Sequence, residues 1–152
     1  MTSRVVIGVG NPDRGDDDAG RAVAARLRGS VHDGVAVMEH AGEATSLLEL
    51  MERADACWLV DAASSGAPAG TIRRFDVAAA PLPHTLLALS SHGFGVGEAV
   101  ELARALGSLP RRCVVFAIEG AGFEAGAPLS QAVAQAVEAV AARIVRELQE
   151  VP

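Results

Sequence analysis

The stretch "GVGNPDRGDDDAG", residues 8–20, decides how this chain folds. It follows "RVVI" (4–7), a run of β-formers that reads with Gly8 and Val9 as a buried first strand, Arg4 to Val9. It runs into "RAVAARL" (21–27), where Val23 and Leu27 sit four apart on one helical face, predicting a helix from Asp17 to Leu27. A glycine-rich turn between strand and helix commonly cradles a phosphate. This turn ends in Asp16, Asp17 and Asp18. A phosphate would be repelled there, whereas a cation would be held.

Further along, "GVAVMEH" (34–40) reads as a second strand, "TSLLELM" (45–51) as a short helix and "ACWLVDA" (56–62) as a third strand. "TIRRFDV" (71–77) alternates and reads as a half-exposed edge strand with Ile72 and Phe75 inward. A long connection, residues 77–94, precedes a helix from Val96 to Leu106. "RRCVVFAIEG" (111–120) is the last buried strand. Ser130 then caps a terminal helix with an apolar stripe of Val133, Val137, Val140, Ile144 and Leu148. Apolar strands alternating with helices imply a parallel sheet covered on both faces. The expectation is an α/β fold: a three-layer αβα sandwich, one domain over residues 1–152, whose mostly parallel, twisted five-stranded sheet has one antiparallel edge strand.

Composition narrows the partners. Half of the 152 residues are hydrophobic, enough for a real core, and the net charge is −6. That balance argues against nucleic acid and against an anionic membrane. All thirteen cations are arginine, so lysine chemistry is excluded. No apolar run is long enough to cross a membrane, and the chain enters its first strand at once, so a cytoplasmic protein without a signal peptide is expected. Cys57 and Cys113, in apolar strands, read as buried free thiols.

In sheets of this type ligands bind outside the carboxyl ends of the strands. That rim collects Asp16, Asp17 and Asp18 after strand one, Glu39 and His40 at the end of strand two, Asp61 at the end of strand three, His92 in "SSHG", and Glu119 at the end of the last strand. Singly, each has an ordinary reading. One aspartate of the three is an N-cap and a second gains from the helix dipole. Asp61 reads equally well as a turn residue. His92 alone reads as a structural or surface histidine, and Glu39 and Glu119 as solvated or capping groups. Together, two or more carboxylates and an imidazole make an oxygen and nitrogen donor set suited to zinc or nickel. Response-regulator receiver domains share the acidic pair and the aspartate after strand three. They also need a lysine at the last strand, where this chain has "FAIEG".

Four segments, "VIGVGNPDRGDDDAGRAVAARL", "WLVDAASSGAPAGTI", "LSSHGFGVGEAVELARALGSLPRRCVVFAIEG" and "GAPLSQAV", resemble, in order and over nearly the whole chain, the hydrogenase maturation proteases. These endopeptidases trim the large subunit of nickel–iron hydrogenases. The resemblance implies catalytic and metal-contacting roles for Asp17, Asp61 and His92. Asp16 is the first acid of the family's pair, and Asp18 stands where many members have glycine. After strand two the family's aspartate and glycine-rich turn are replaced by "EHAGEAT", with Glu39 in the aspartate's place. Glu39, Asp16 and His84 are the expected substrate contacts.

The implied partner is the large-subunit precursor, cut by a monomer near its C-terminus after nickel insertion. The metal is nickel supplied by the substrate, with zinc or cadmium able to occupy the site in isolation. The serines lack a nucleophile-elbow context and there is no H-E-x-x-H motif. What remains is water activated by a metal or a carboxylate. The alternative is a metal-binding maturation accessory with the same fold and no cleavage.

Overall fold

The computed structural model describes residues 3–83 and 95–150. In chain order these form β1 (Arg4–Val9), a 3₁₀ turn (Gly15–Asp18), α1 (Ala19–Leu27), β2 (Val35–His40), α2 (Ala44–Glu52), β3 (Ala56–Ala63), β4 (Ile72–Asp76), α3 (Gly95–Leu106), β5 (Arg112–Glu119) and α4 (Gln131–Glu150). The sheet order is β2-β1-β3-β5-β4. All neighbours are parallel except β4, which runs antiparallel to β5 at the edge. This is the expected α/β sandwich.

Strand alternation sorts the core into two layers. Val6, Trp58, Val60, Val114, Phe116 and Ile118 pack with α1 and α4, whose stripe Val133, Val137, Val140, Ile144 and Leu148 is buried as expected. Val5, Ile7, Val9, Cys57, Leu59, Cys113 and Val115 pack with α2 and α3. Cys57 and Cys113 are free, fully buried and opposite each other in the β3–β5 register. Among the described residues no helix is long and apolar enough to cross a membrane.

Two local expectations are corrected. Ile72 does not point inward: it is 39% exposed, because it opens an edge strand that pairs on one side only. Phe75 does pack, against the α2 and α3 layer. The helix expected from Asp17 starts at Ala19, after a separate 3₁₀ turn, and Asp18 at its N-cap position makes no side-chain capping bond.

At the amino-terminal ends of β3 and β5 a single acid ties the layers together. Glu147 of α4 is 3% exposed. It accepts from Trp58 Nε1 (3.2 Å) and, in a fork, from Arg74 Nη2 (2.7 Å) and Arg74 Nε (2.9 Å). Arg112 and Arg143 stand at 3.5 and 3.2 Å. Burial pushes its carboxyl up, but hydrogen bonds from Arg74 and Trp58 and the nearby guanidinium charges outweigh that and hold it below the usual range.

The sheet order makes β1 the point where the chain reverses, with β2 on one side and β3 on the other. The crevice between the ends of β1 and β3 is the natural binding position. Its floor is set by Gly20. A Cβ there would lie 2.2 Å from the Val9 carbonyl oxygen and 2.3 Å from that of Val60, so α1 rests directly on the end of β1 and on β3 at Val60. Gly8 is pressed the same way, its added Cβ 2.1 Å from the Gly20 carbonyl. Gly20→Ala should therefore lower stability by ~1–3 kcal/mol, the usual cost of overpacking, in a urea titration. An unchanged midpoint would mean that α1 is free to shift off β1 and β3.

Candidate functional site

The β1–β3 register ends at Gly8 opposite Val60, one residue before Asp61. Asp61 does not end its strand, as expected from sequence; β3 continues to Ala63 because β5 pairs with it to Glu119. Asp61 is thus a rim residue held rigid by a strand on its β5 side. It is 5% exposed, and its Oδ1 accepts from the Ala62 N–H at 2.8 Å.

Asp17 lies on the 3₁₀ turn, which packs against β3, the strand that carries Asp61. It is 4% exposed, and its Oδ2 accepts from Asn11 Nδ2 at 3.0 Å. Asn11, in the turn after β1, is thus a side-chain partner of the acid. Asp18 points elsewhere, to Arg21 at 4.0 Å. Partial burial pushes Asp18 up and Arg21 pulls it down, while Glu39, Asp13 and Asp17 crowd it with negative charge.

Asp16, expected as a substrate contact, is bonded within the protein. It is buried, and both its oxygens accept hydrogen bonds from the loop between β5 and α4. Glu39 does line an open cleft of about 250 Å³ with Gly10, Asn11, Pro12, Arg21 and His40. Its charge is already paired: Arg21 donates at 2.7 Å and Arg28 also bonds it, and both hold its carboxyl below the usual range. Glu119, 3% exposed, accepts from the Ser65 N–H at 2.7 Å and from its hydroxyl, which in turn accepts from Arg73 at 3.0 Å. His84 and His92 lie outside the described residues. Among the described residues no three His, Cys, Asp or Glu side chains gather as a metal site. Asp17 and Asp61 are carboxylates, the oxygen-donor part of the expected set.

The turn after β2 is built by His40. Its Nδ1 accepts from the Gly42 N–H at 2.8 Å, which leaves the neutral ring's proton on Nε2, 2.9 Å from Ser46 Oγ. Glu43 caps α2 through the Thr45 and Ser46 N–H groups, and those bonds hold its carboxyl low. The Gly42 carbonyl meets the start of α3: a Cβ on Gly95 would lie 2.1 Å from it.

The model of the hydrogenase maturation protease family, HycI, matches residues 22–147. The chain belongs to the hydrogenase maturation protease family. Solved structures of maturation proteases have the same fold. The hydrogenase maturating endopeptidase HybD from E. coli is 22% identical, with a TM-score of 0.80 over 97% of this chain and 93% of that one. The [NiFe] hydrogenase maturation protease HycI from Thermococcus kodakarensis KOD1 is 26% identical, with a TM-score of 0.72 over 97% and 94%. A hydrogenase 2 maturation peptidase from a Thaumarchaeota archaeon gives 22% and 0.68 over 96% and 98%. No curated protein sequence matches.

In this maturation protease the His40 ring has a pH consequence. Burial lowers its pKa, opposed by Glu43. The folded protein then favours the neutral ring, so this stability is present above the unfolded pKa, ~6.5, and is lost as pH falls through the folded value. Asn at position 40 can still accept from Gly42 without titrating. The stability of the parent relative to His40→Asn should thus decline between neutral pH and pH 5, read by urea unfolding at each pH. A pH-independent difference would remove His40 as the titrating group.

Proposed function

We propose that this chain is an endopeptidase that removes a C-terminal extension from the nickel-loaded large-subunit precursor of a nickel–iron hydrogenase. One observation supports the reading: the 3₁₀ turn that carries Asp17 packs on β3, the strand that carries Asp61, where the sheet order reverses, while Asp16 is bonded to the loop between β5 and α4. Family membership supplies the reaction class.

In this reading Asp17, Asp61 and His92 dock the nickel carried by the precursor, with oxygen and nitrogen donors suited to that ion. The metal is part of the substrate. The enzyme's carboxylates then hold that end of the precursor and orient a water against the adjoining peptide bond. Hydrolysis consumes the water and leaves the mature C-terminus and a released peptide. A carboxylate at the crevice is within its ordinary role in taking the water's proton. Recognition through the metal gives specificity without a deep side-chain pocket. The cleft beside Glu39, Arg21 and His40 is the neighbouring surface for the chain that follows.

The test is mass spectrometry of nickel-loaded and nickel-free precursor after incubation with the protein. Loaded precursor should lose its extension and nickel-free precursor should stay intact. Asp17→Asn and Asp61→Asn should slow cleavage by roughly 10²-fold or more, with little change in thermal stability for the near-isosteric Asp17→Asn. Binding without cleavage by the parent protein would establish the accessory reading instead. Prompt, correct cleavage of nickel-free precursor would overturn docking through the metal.

A further inference from the structure

We propose that Asp16 is a positioning residue: it anchors the turn that carries Asp17 to the loop between β5 and α4, and so fixes where Asp17 stands in the crevice. The inference rests on the reading of Asp17 as a site residue.

Adjacent acids in one turn normally repel and share solvent. Here Asp16 is 1% exposed. Its Oδ2 accepts from the Ala121 N–H (2.7 Å), the Gly122 N–H (3.3 Å) and the Ser130 hydroxyl (3.0 Å). Its Oδ1 accepts from the Ser130 N–H at 2.8 Å. Donors converge from both ends of the loop, so the side chain that answers them must be acceptor-only with two oxygens. An amide would turn its own N–H groups toward one set of donors. A buried carboxylate is tolerated when it is hydrogen-bonded in this way.

Backbone bonds run beside the side chain. The Asp16 N–H donates to the Gly122 carbonyl (2.8 Å), the Gly15 N–H to Ala127 (3.0 Å), and the Gly126 N–H to Asp13 (2.6 Å). The segment preceding Asp17 is thereby laced to a loop more than a hundred residues away in sequence. On its other side Asp17 is confined by the exit of β1. A Cβ at Gly10 would lie 2.4 Å from the Asp17 carbonyl, and Asn11 holds its carboxylate. Asp17 is fixed between these two supports, and Asp16 is the one that reaches across the chain.

A supporting residue of this kind typically changes metal affinity or activity by roughly 10–100-fold when it is removed. The experiment compares zinc binding by calorimetry and cleavage of nickel-loaded precursor in the parent, Asp16→Asn, Asp17→Asn and Glu147→Gln. Glu147 is the control: it is a buried acid at the opposite rim, so its loss destabilises without touching the crevice.

Asp16→Asn should raise the zinc Kd roughly 10–100-fold and lower kcat in step, whereas Glu147→Gln should lose stability and keep the parent Kd. Equal weakening in both variants would show a general effect of instability and overturn the proposal. Parent-like zinc binding and cleavage in Asp16→Asn, with Asp17→Asn inactive, would overturn it while leaving the proposed function standing. Parent-like behaviour of Asp17→Asn would overturn both. If Asp16→Asn does not fold, Ser130→Ala removes one donor to Oδ2 and keeps the acid. It should weaken zinc in the same direction, and an unchanged Kd would count against the anchor.

Discussion

The direct contact of the Gly20 backbone with the carbonyls of Val9 and Val60 is the constraint on which the rest of the site depends. It joins three elements at one point: the end of β1, the end of the β1–β3 pairing and the first turn of α1. With the helix resting on the end of β1 and on β3 at Val60, the ten residues between Val9 and Gly20 have only a short gap to cross. They fill it as a compact turn, and the acids ride on that turn. Asp61 follows Val60 directly, so the same contact sets the start of α1 beside the stretch of β3 that carries Asp61.

Three consecutive aspartates answer to three different partners. Asp16 faces N–H groups of the β5–α4 loop, Asp17 faces Asn11, and Asp18 faces Arg21. The division gives each acid its own partner, although Asp17 and Asp13 still press on Asp18. A buried carboxylate met by several donors is a stable arrangement. The negative charge after β1 thus serves architecture at one position and cation docking, in our reading, at the next.

The sandwich was legible in sequence because apolar runs and helical periodicity are local signals. So was the collection of acids at the carboxyl rim, which follows from strand order. What was not legible depended on distant partners or on short irregular structure. The 3₁₀ turn at Gly15–Asp18 is too short to show a period. Asp16's donors lie 105 to 114 residues away. The extra residues of β3 follow from the length of β5, and the exposure of Ile72 from the edge position of β4. Glu147 did leave a signal, a lone acid three residues after Ile144 on the buried face of α4. The resemblance to the maturation proteases marked Asp17, Asp61 and His92, and the fold packs the turn that carries Asp17 against the strand that carries Asp61.

The account stands on Asp17 and Asp61 acting together on one cation. Anomalous diffraction from crystals soaked with cadmium tests that most directly. The account predicts a single strong peak at the β1–β3 crevice, with carboxylate oxygens of Asp17 and Asp61 and the imidazole of His92 around it. Asp16 should remain bonded to Ser130. A peak at another rim, or one at the crevice held by Asp16 in place of Asp17, would contradict it.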